Sequence, residues 1–301
     1  MTNIISTTLL TITNIREALQ KMVLEILGAG FIQRALVTGI AVAVTCCTVG
    51  LFLVLRRHSL FGDALSHMAF GGIAVGLFTN IYPIWTAIIV STLAALGMTK
   101  LRQSTKVPPD AAVAVLLSSG LAIGIVLVSM SGGFSVDLFS FLFGSILLVS
   151  PDEVYMILGL SAGIITIVLL LYRKFMYIAF DEEQAKVSGL QVSRLNYLFI
   201  VLASITVIAS IRLVGILLIS SLIVLPNITA ILFGKGFKKT ALISGIIAVL
   251  SVVAGILISY EANIATGGTI VLVLVMTFLA VLAAKKVKRS AKLTGVKEVE
   301  A

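Results

Sequence analysis

Charge is scarce in this 301-residue chain, where only 12% of residues are Asp, Glu, Lys or Arg. A soluble globular protein carries about a quarter. With 59% hydrophobic residues and a mean hydropathy of +1.17, the shortage excludes an ordinary water-soluble fold and points to a polytopic membrane protein. Cysteine is as sparse. Cys46 and Cys47 stand side by side in an apolar run. Adjacent residues make poor disulfide partners, and there is no Cys-x-x-Cys spacing, so they read as packing or lipid-facing residues rather than metal ligands. Recognisable catalytic devices are missing too. There is no H-E-x-x-H and no G-x-S-x-G. Gly234-Lys-Gly-Phe-Lys-Lys-Thr240 lacks the spacing of a Walker A loop and reads as a basic turn. Nothing here hydrolyses ATP by a known motif. The first 30 residues show no cleavage site after an apolar core, so no cleavable signal is expected.

What is present is a series of apolar runs about 20 residues long, the length that crosses a ~30 Å hydrocarbon slab. They lie at about 32–55, 64–80, 82–99, 111–130, 152–172, 196–211, 213–233, 240–260 and 267–284. This predicts an all-α fold of eight or nine transmembrane helices, the doubt falling at 196–233, where Arg212 interrupts a long run. The net charge is +9, but the basic residues sit between the spans, where they set orientation rather than bind nucleic acid. Arg56–Arg57, Lys100, Arg102 and Lys106, Arg173–Lys174 through Arg194, Lys235, Lys238 and Lys239, and Lys285–Lys297 are expected on the cytoplasmic side. The opposite loops near 80–82, 131–151 and 261–266 have no Lys or Arg. With nine crossings the N-terminal side is outside, against the votes of Arg16, Lys21 and Arg34. Three regions follow: an N-terminal segment 1–30 with an amphipathic interfacial helix, a transmembrane domain 31–285, and a basic tail 286–301.

Two connections stand out. The stretch 132–150 is too short and glycine-punctuated for a plain span and predicts a short or re-entrant element on the outer side, which is tolerated only inside protein or beside a water-filled path. The connection 173–194 carries Asp181, Glu182 and Glu183 before Ala185 and Gly189, the punctuation of a short helix. It reads either as a solvated turn or as a docking helix for a cytoplasmic partner.

The chemistry centres on Asp63 and His67 in FGDALSHMAFGG. At i and i+4 they share one helix face. Ionisable groups in a span are costly and mark ion paths. Carboxylate plus imidazole is the beginning of a divalent transition-metal site, and a two-fold dimer would double it to two Asp and two His. A hydrogen-bonded pair fixing a helix near the interface remains the alternative. Gly71–Gly72 would permit close backbone approach or a helix break. Gly132–Gly133 and Gly267–Gly268 mark outer loop-to-helix transitions. Glu261 reads as a solvated outer acid, and His58 as an interfacial side chain.

Arg56-Arg57-His-Ser59-Leu60-Phe-Gly62-Asp63-Ala64-Leu-Ser66-His67 closely resembles a signature of the permease subunits of zinc and manganese ABC importers. Asp137-Leu-Phe-Ser-Phe-Leu-Phe-Gly144, Asp181 to Gly189, and Arg212-Leu-Val-Gly215 through Ser221 to Pro226 follow in the family's order, over about residues 30–285. The resemblance implies an all-helical homodimeric permease with a type II ABC importer fold, similar to cobalamin and siderophore permeases, in the cytoplasmic membrane of a prokaryote. It implies cytoplasmic ATP-binding subunits that hydrolyse ATP, an external metal-binding protein, and no enzyme activity in the chain itself. Asp63 and His67 would hold the ion in transit, and the coupling segment, about 178–192, would dock on the ATPase. Ser66, Asp137, Glu261 and Asn263 are pathway or gate candidates. No permanent cofactor is expected. The cargo would be Zn²⁺ first, Mn²⁺ next, with Fe²⁺ a further option. Two departures are Asn227, where the family often has Ala, and Asn263-Ile-Ala265 in place of Asp-x-Pro. The rivals are a metal-chelate permease of the same fold and a stand-alone ion channel or carrier.

Overall fold

A computed structural model describes residues 30–104, 108–131, 133, 136–145 and 150–297. The predicted interfacial helix before residue 30 and the end of the basic tail lie outside the described residues. Among the described residues there are eleven helices and no strand. They are α1 (Gly30–Leu55), α2 (Phe61–Thr79), α3 (Pro83–Ser104), α4 (Pro109–Met130), α5 (Val136–Phe143), α6 (Pro151–Phe180), α7 (Glu182–Val187), α8 (Val192–Val214), α9 (Ile219–Ile231), α10 (Phe237–Ala262) and α11 (Thr266–Lys297).

Helices form because every backbone polar group in lipid must be paired within the segment. Hydroxyls within the spans obey the same rule. In α1, Thr38, Thr45 and Thr48 return their O–H groups to the carbonyls of Arg34, Ala41 and Val44 at 2.6–2.7 Å. Proline starts α3, α4 and α6, where its missing N–H costs nothing. Asn80 and Asn263 end α2 and α10 in the left-handed conformation, at φ 56° and 52°.

Eight of the helices are long and apolar enough to cross a membrane. α1 is central and packs on α6, α8, α9 and α10, while α2 is held between α3 and α4. Phe52, Phe175, Phe199 and Phe237 cluster with centroids 5.5–6.3 Å apart, bringing the ends of α1 and α6 to the starts of α8 and α10. This is the basic end. At the opposite end Phe31 of α1 meets Tyr260 of α10 at 5.9 Å.

The long run at 196–233 is two helices. α8 closes at Gly215, whose φ is +83°. The irregular stretch that follows pairs its backbone with α5: Ile216 N–H donates to Phe141 O at 2.9 Å, Leu217 N–H to Leu142 O at 3.3 Å, and Ser145 N–H to Arg212 O at 3.0 Å. The short element predicted in 132–150 is therefore α5, and it satisfies the broken backbone beside it. α9 then runs back toward the basic end, where Phe237 joins the aromatic cluster. Its thirteen residues reach about 20 Å, short of a full span by themselves. α9 contains Pro226. Asn227 next to it donates to Ile223 O at 2.7 Å and accepts from Ser244 Oγ of α10 at 2.7 Å, so this departure from the family pattern ties α9 to α10. Cys46 and Cys47 are buried and free, Cys46 Sγ lying 3.0 Å from Ser210 Oγ, in keeping with their reading as packing residues.

Candidate metal centre

Asp63 falls in the first turn of α2, where the helix dipole favours a carboxylate. His67 follows one turn on. His67 Nε2 lies 3.8 Å from Asp63 Oδ1, with the side chains 13% and 29% exposed. That separation is too long for a hydrogen bond. Two metal–ligand bonds of about 2.1 Å at roughly tetrahedral angles place donor atoms ~3.4 Å apart, so a small closure brings this pair to ligand spacing. His67 Nδ1 is buried without a hydrogen-bond partner. Among the described residues no cluster of three or more His, Cys, Asp or Glu surrounds a single point. At this pair the chain supplies two ligand-type groups.

The backbone under the pair is held by close packing. A Cβ on Gly120 of α4 would meet the carbonyl of His67 and the nitrogen of Met68 at 2.6 Å or less. Gly71 faces Gly120 O, and Gly72 faces Ala87. Of the two options the sequence left open for Gly71–Gly72, the structure shows close approach, with α2 unbroken.

The other candidates are dispersed. Ser66 is buried, and its hydroxyl donates to Asp63 O at 2.8 Å, so it steadies the turn. The backbone of Asp137 lies in the first turn of α5, while its side chain lies outside the described residues. Glu261 is exposed at the end of α10, and Asn263 is its helix-terminating residue. At the basic end, Asp181 caps α7 by accepting from Gln184 N–H at 2.9 Å. Glu182 pairs with Lys186 at 2.9 Å, Glu183 is exposed, Ala185 is buried against Ile178 and Val192, and Gly189 turns the chain at φ +84°. The pair with Glu182 holds Lys186 above its ordinary pKa.

Sequence reasoning missed a polar network at the opposite end. Glu153 is 5% exposed and meets Arg212 Nη2 at 2.6 Å. Tyr82 Oη donates to Glu153 Oε1 at 2.7 Å, and the Arg212 guanidinium lies 4.3 Å from the Phe141 ring centroid. Burial, then the bond to Glu153, push the Tyr82 hydroxyl above its ordinary pKa. The available signal was Ser150-Pro-Asp-Glu153, a capping box that the structure contains. Arg212, which interrupted the apolar run, is thus the neutralised partner of a buried acid.

A bundle of eight helices long and apolar enough to cross a membrane, with a carboxylate and an imidazole one turn apart on α2, belongs to the class of polytopic membrane proteins. The chain belongs to the ABC 3 transport family, whose model matches residues 29–285. It is 35% identical, over 86% of its length and 97% of the other's, to a protein of Treponema pallidum (strain Nichols) assigned to a metal transport system. It is 33% identical to the manganese import system permease protein ScaB of Streptococcus parasanguinis, over 83% and 89% of the two chains. Among solved structures it resembles PsaBC from Streptococcus pneumoniae in complex with Fab, with TM-score 0.79, 31% identity and coverage of 87% and 95%. A transporter described as metal-chelate type, in an inward-facing conformation, shares the fold with TM-score 0.69 at 12% identity over 84% and 86% of the chains. The chain is therefore a multi-pass plasma-membrane permease of a metal ABC importer, and not an enzyme.

Proposed function

We propose that this permease moves a divalent transition metal ion, manganese first and zinc next, through a site made by Asp63 and His67 of two copies of the chain. The carrying observation is the pair itself: two ligand-type groups one turn apart on α2, 3.8 Å from each other, with a buried unpartnered nitrogen on the histidine. Two ligands hold an ion weakly. A two-fold axis supplies two more, and a mixed oxygen and nitrogen set suits manganese as well as zinc. An aspartate and a histidine accept zinc, manganese and iron alike; the sequence reading puts zinc first, and the ScaB relative's name supports putting manganese first. ATP hydrolysis belongs to separate cytoplasmic subunits that engage the segment 181–189, and an external metal-binding protein delivers the ion. The cycle then needs two conformations that bind the ion differently.

The test is metal content by mass spectrometry on the purified, detergent-solubilised chain equilibrated with equimolar Mn, Zn and Fe(II), beside an Asp63→Ala/His67→Ala variant. About one manganese per two chains, absent from the variant, is the expected result. Equal retention by both proteins would sink the Asp63/His67 assignment.

A further inference from the structure

A cavity of about 810 Å³ lies at the basic end, with Arg56, Arg57, His58, Thr99, Asn196 and Glu182 as its polar lining. Glu182 is the one acid among the residues that line it. Arg56 Nη1 donates to Asn196 Oδ1 at 2.8 Å, and the guanidinium sits 4.7 Å from the Phe199 ring centroid. These contacts use one end and one face of the group. Nε and Nη2, the edge that grips a carboxylate side-on through two parallel bonds, are buried without a partner. Burial pulls Arg56 down to about 10, and Glu182 acts on it in the opposite direction. Glu182 meanwhile pairs with Lys186, both side chains about half exposed at 59% and 49%. Water screens such a pair, and it exchanges readily.

Between Arg56 and the metal ligands runs a short turn. Arg57 holds φ 57°, a left-handed conformation rare for a side-chain-bearing residue. His58 N–H donates to Leu53 O at 2.9 Å, and Phe61 N–H to His58 O at 3.0 Å. α2 starts at Phe61. A displacement of this turn moves the first turn of α2, and Asp63 with it.

We propose that Arg56 and Glu182 are a positioning pair: during transport Glu182 exchanges Lys186 for the free edge of Arg56, and the movement of α7 passes through the 56–60 turn to Asp63 and His67. The inference rests on the reading that ATP-binding subunits engage the coupling segment. It specifies how that engagement reaches the ion.

The experiment reconstitutes the whole importer in proteoliposomes, supplied with manganese and zinc together, and measures ions moved per ATP hydrolysed. The variants are Arg56→Glu, Glu182→Arg, their double charge swap, and Arg56→Lys. Each reversal lowers the ratio roughly tenfold, and the swap restores it to within about threefold of wild type. Arg56→Lys keeps the charge but loses the side-on grip and falls between. Co-purification of the ATP-binding subunits is scored for every variant. A swap no better than the worse single variant, or single variants at the wild-type ratio, would overturn the inference alone. A wild-type importer that moves neither metal would overturn the functional reading, and this inference with it.

Discussion

Glu153 serves three partners at once. It closes the capping box of α6, accepts from Tyr82, and neutralises Arg212. A buried charge left unpaired costs about 3–5 kcal/mol, whereas replacing both charges by apolar groups is near neutral. Glu153→Ala therefore lowers the thermal unfolding midpoint in detergent markedly, Tyr82→Phe costs only about 1 kcal/mol, and Glu153→Met/Arg212→Leu recovers most of the loss. A double variant as unstable as Glu153→Ala would mean that the ion pair is not what holds this end. Of this network, only the capping box was legible in the sequence. The charge partner is on another helix, and no spacing rule reaches it. Asp63 and His67 were legible because their relation is local, at i and i+4.

At the scale of the element, α2 owes its position to glycines on its neighbours as well as its own. Gly120 stands against the backbone of His67. An added methyl there has backbone on the facing side and cannot be accommodated by a rotamer change. Gly120→Ala should cost about 1–3 kcal/mol as an overpacked contact and reduce metal retention, because it displaces the residue that carries the imidazole. Gly97→Ala in α3 is the control. Nothing lies within 4 Å of its new Cβ, so it should be neutral or stabilise by up to about 1 kcal/mol. Thermal unfolding and metal content on the same preparations decide the matter, and equal effects of the two substitutions would refute the packing account. Gly71–Gly72 could be singled out from sequence, but the facing residues Gly120 and Ala87 could not, since helix order does not say which helices touch.

For the whole molecule, the two clusters of end contacts fix the directions of α1, α6, α8 and α10. Counting α9 as a ninth pass beside the eight long helices puts the start of α1 on the side opposite the Lys/Arg-rich end. The expected outcome in intact cells is that Ile264→Cys is labelled by a membrane-impermeant thiol reagent and Lys238→Cys is not. The native cysteines are buried. Labelling of Lys238→Cys alone would reverse the assigned orientation, and labelling of both would mean that α10 does not cross.

The sequence by itself determined the solvent, the secondary structure and the candidate pair, Asp63 and His67. Apolar length, glycine and proline punctuation and the Asp-x-x-x-His spacing are all local, and in lipid the backbone has few alternatives to a helix. Tertiary structure alone decided that α5 pairs with the broken segment after α8, that Arg212 is neutralised by Glu153, and that Arg56 and Glu182 share one cavity. Each of these joins residues from different helices through hydrogen bonds or charge. Such contacts depend on which helices pack together, and that is settled only when small residues let particular backbones approach.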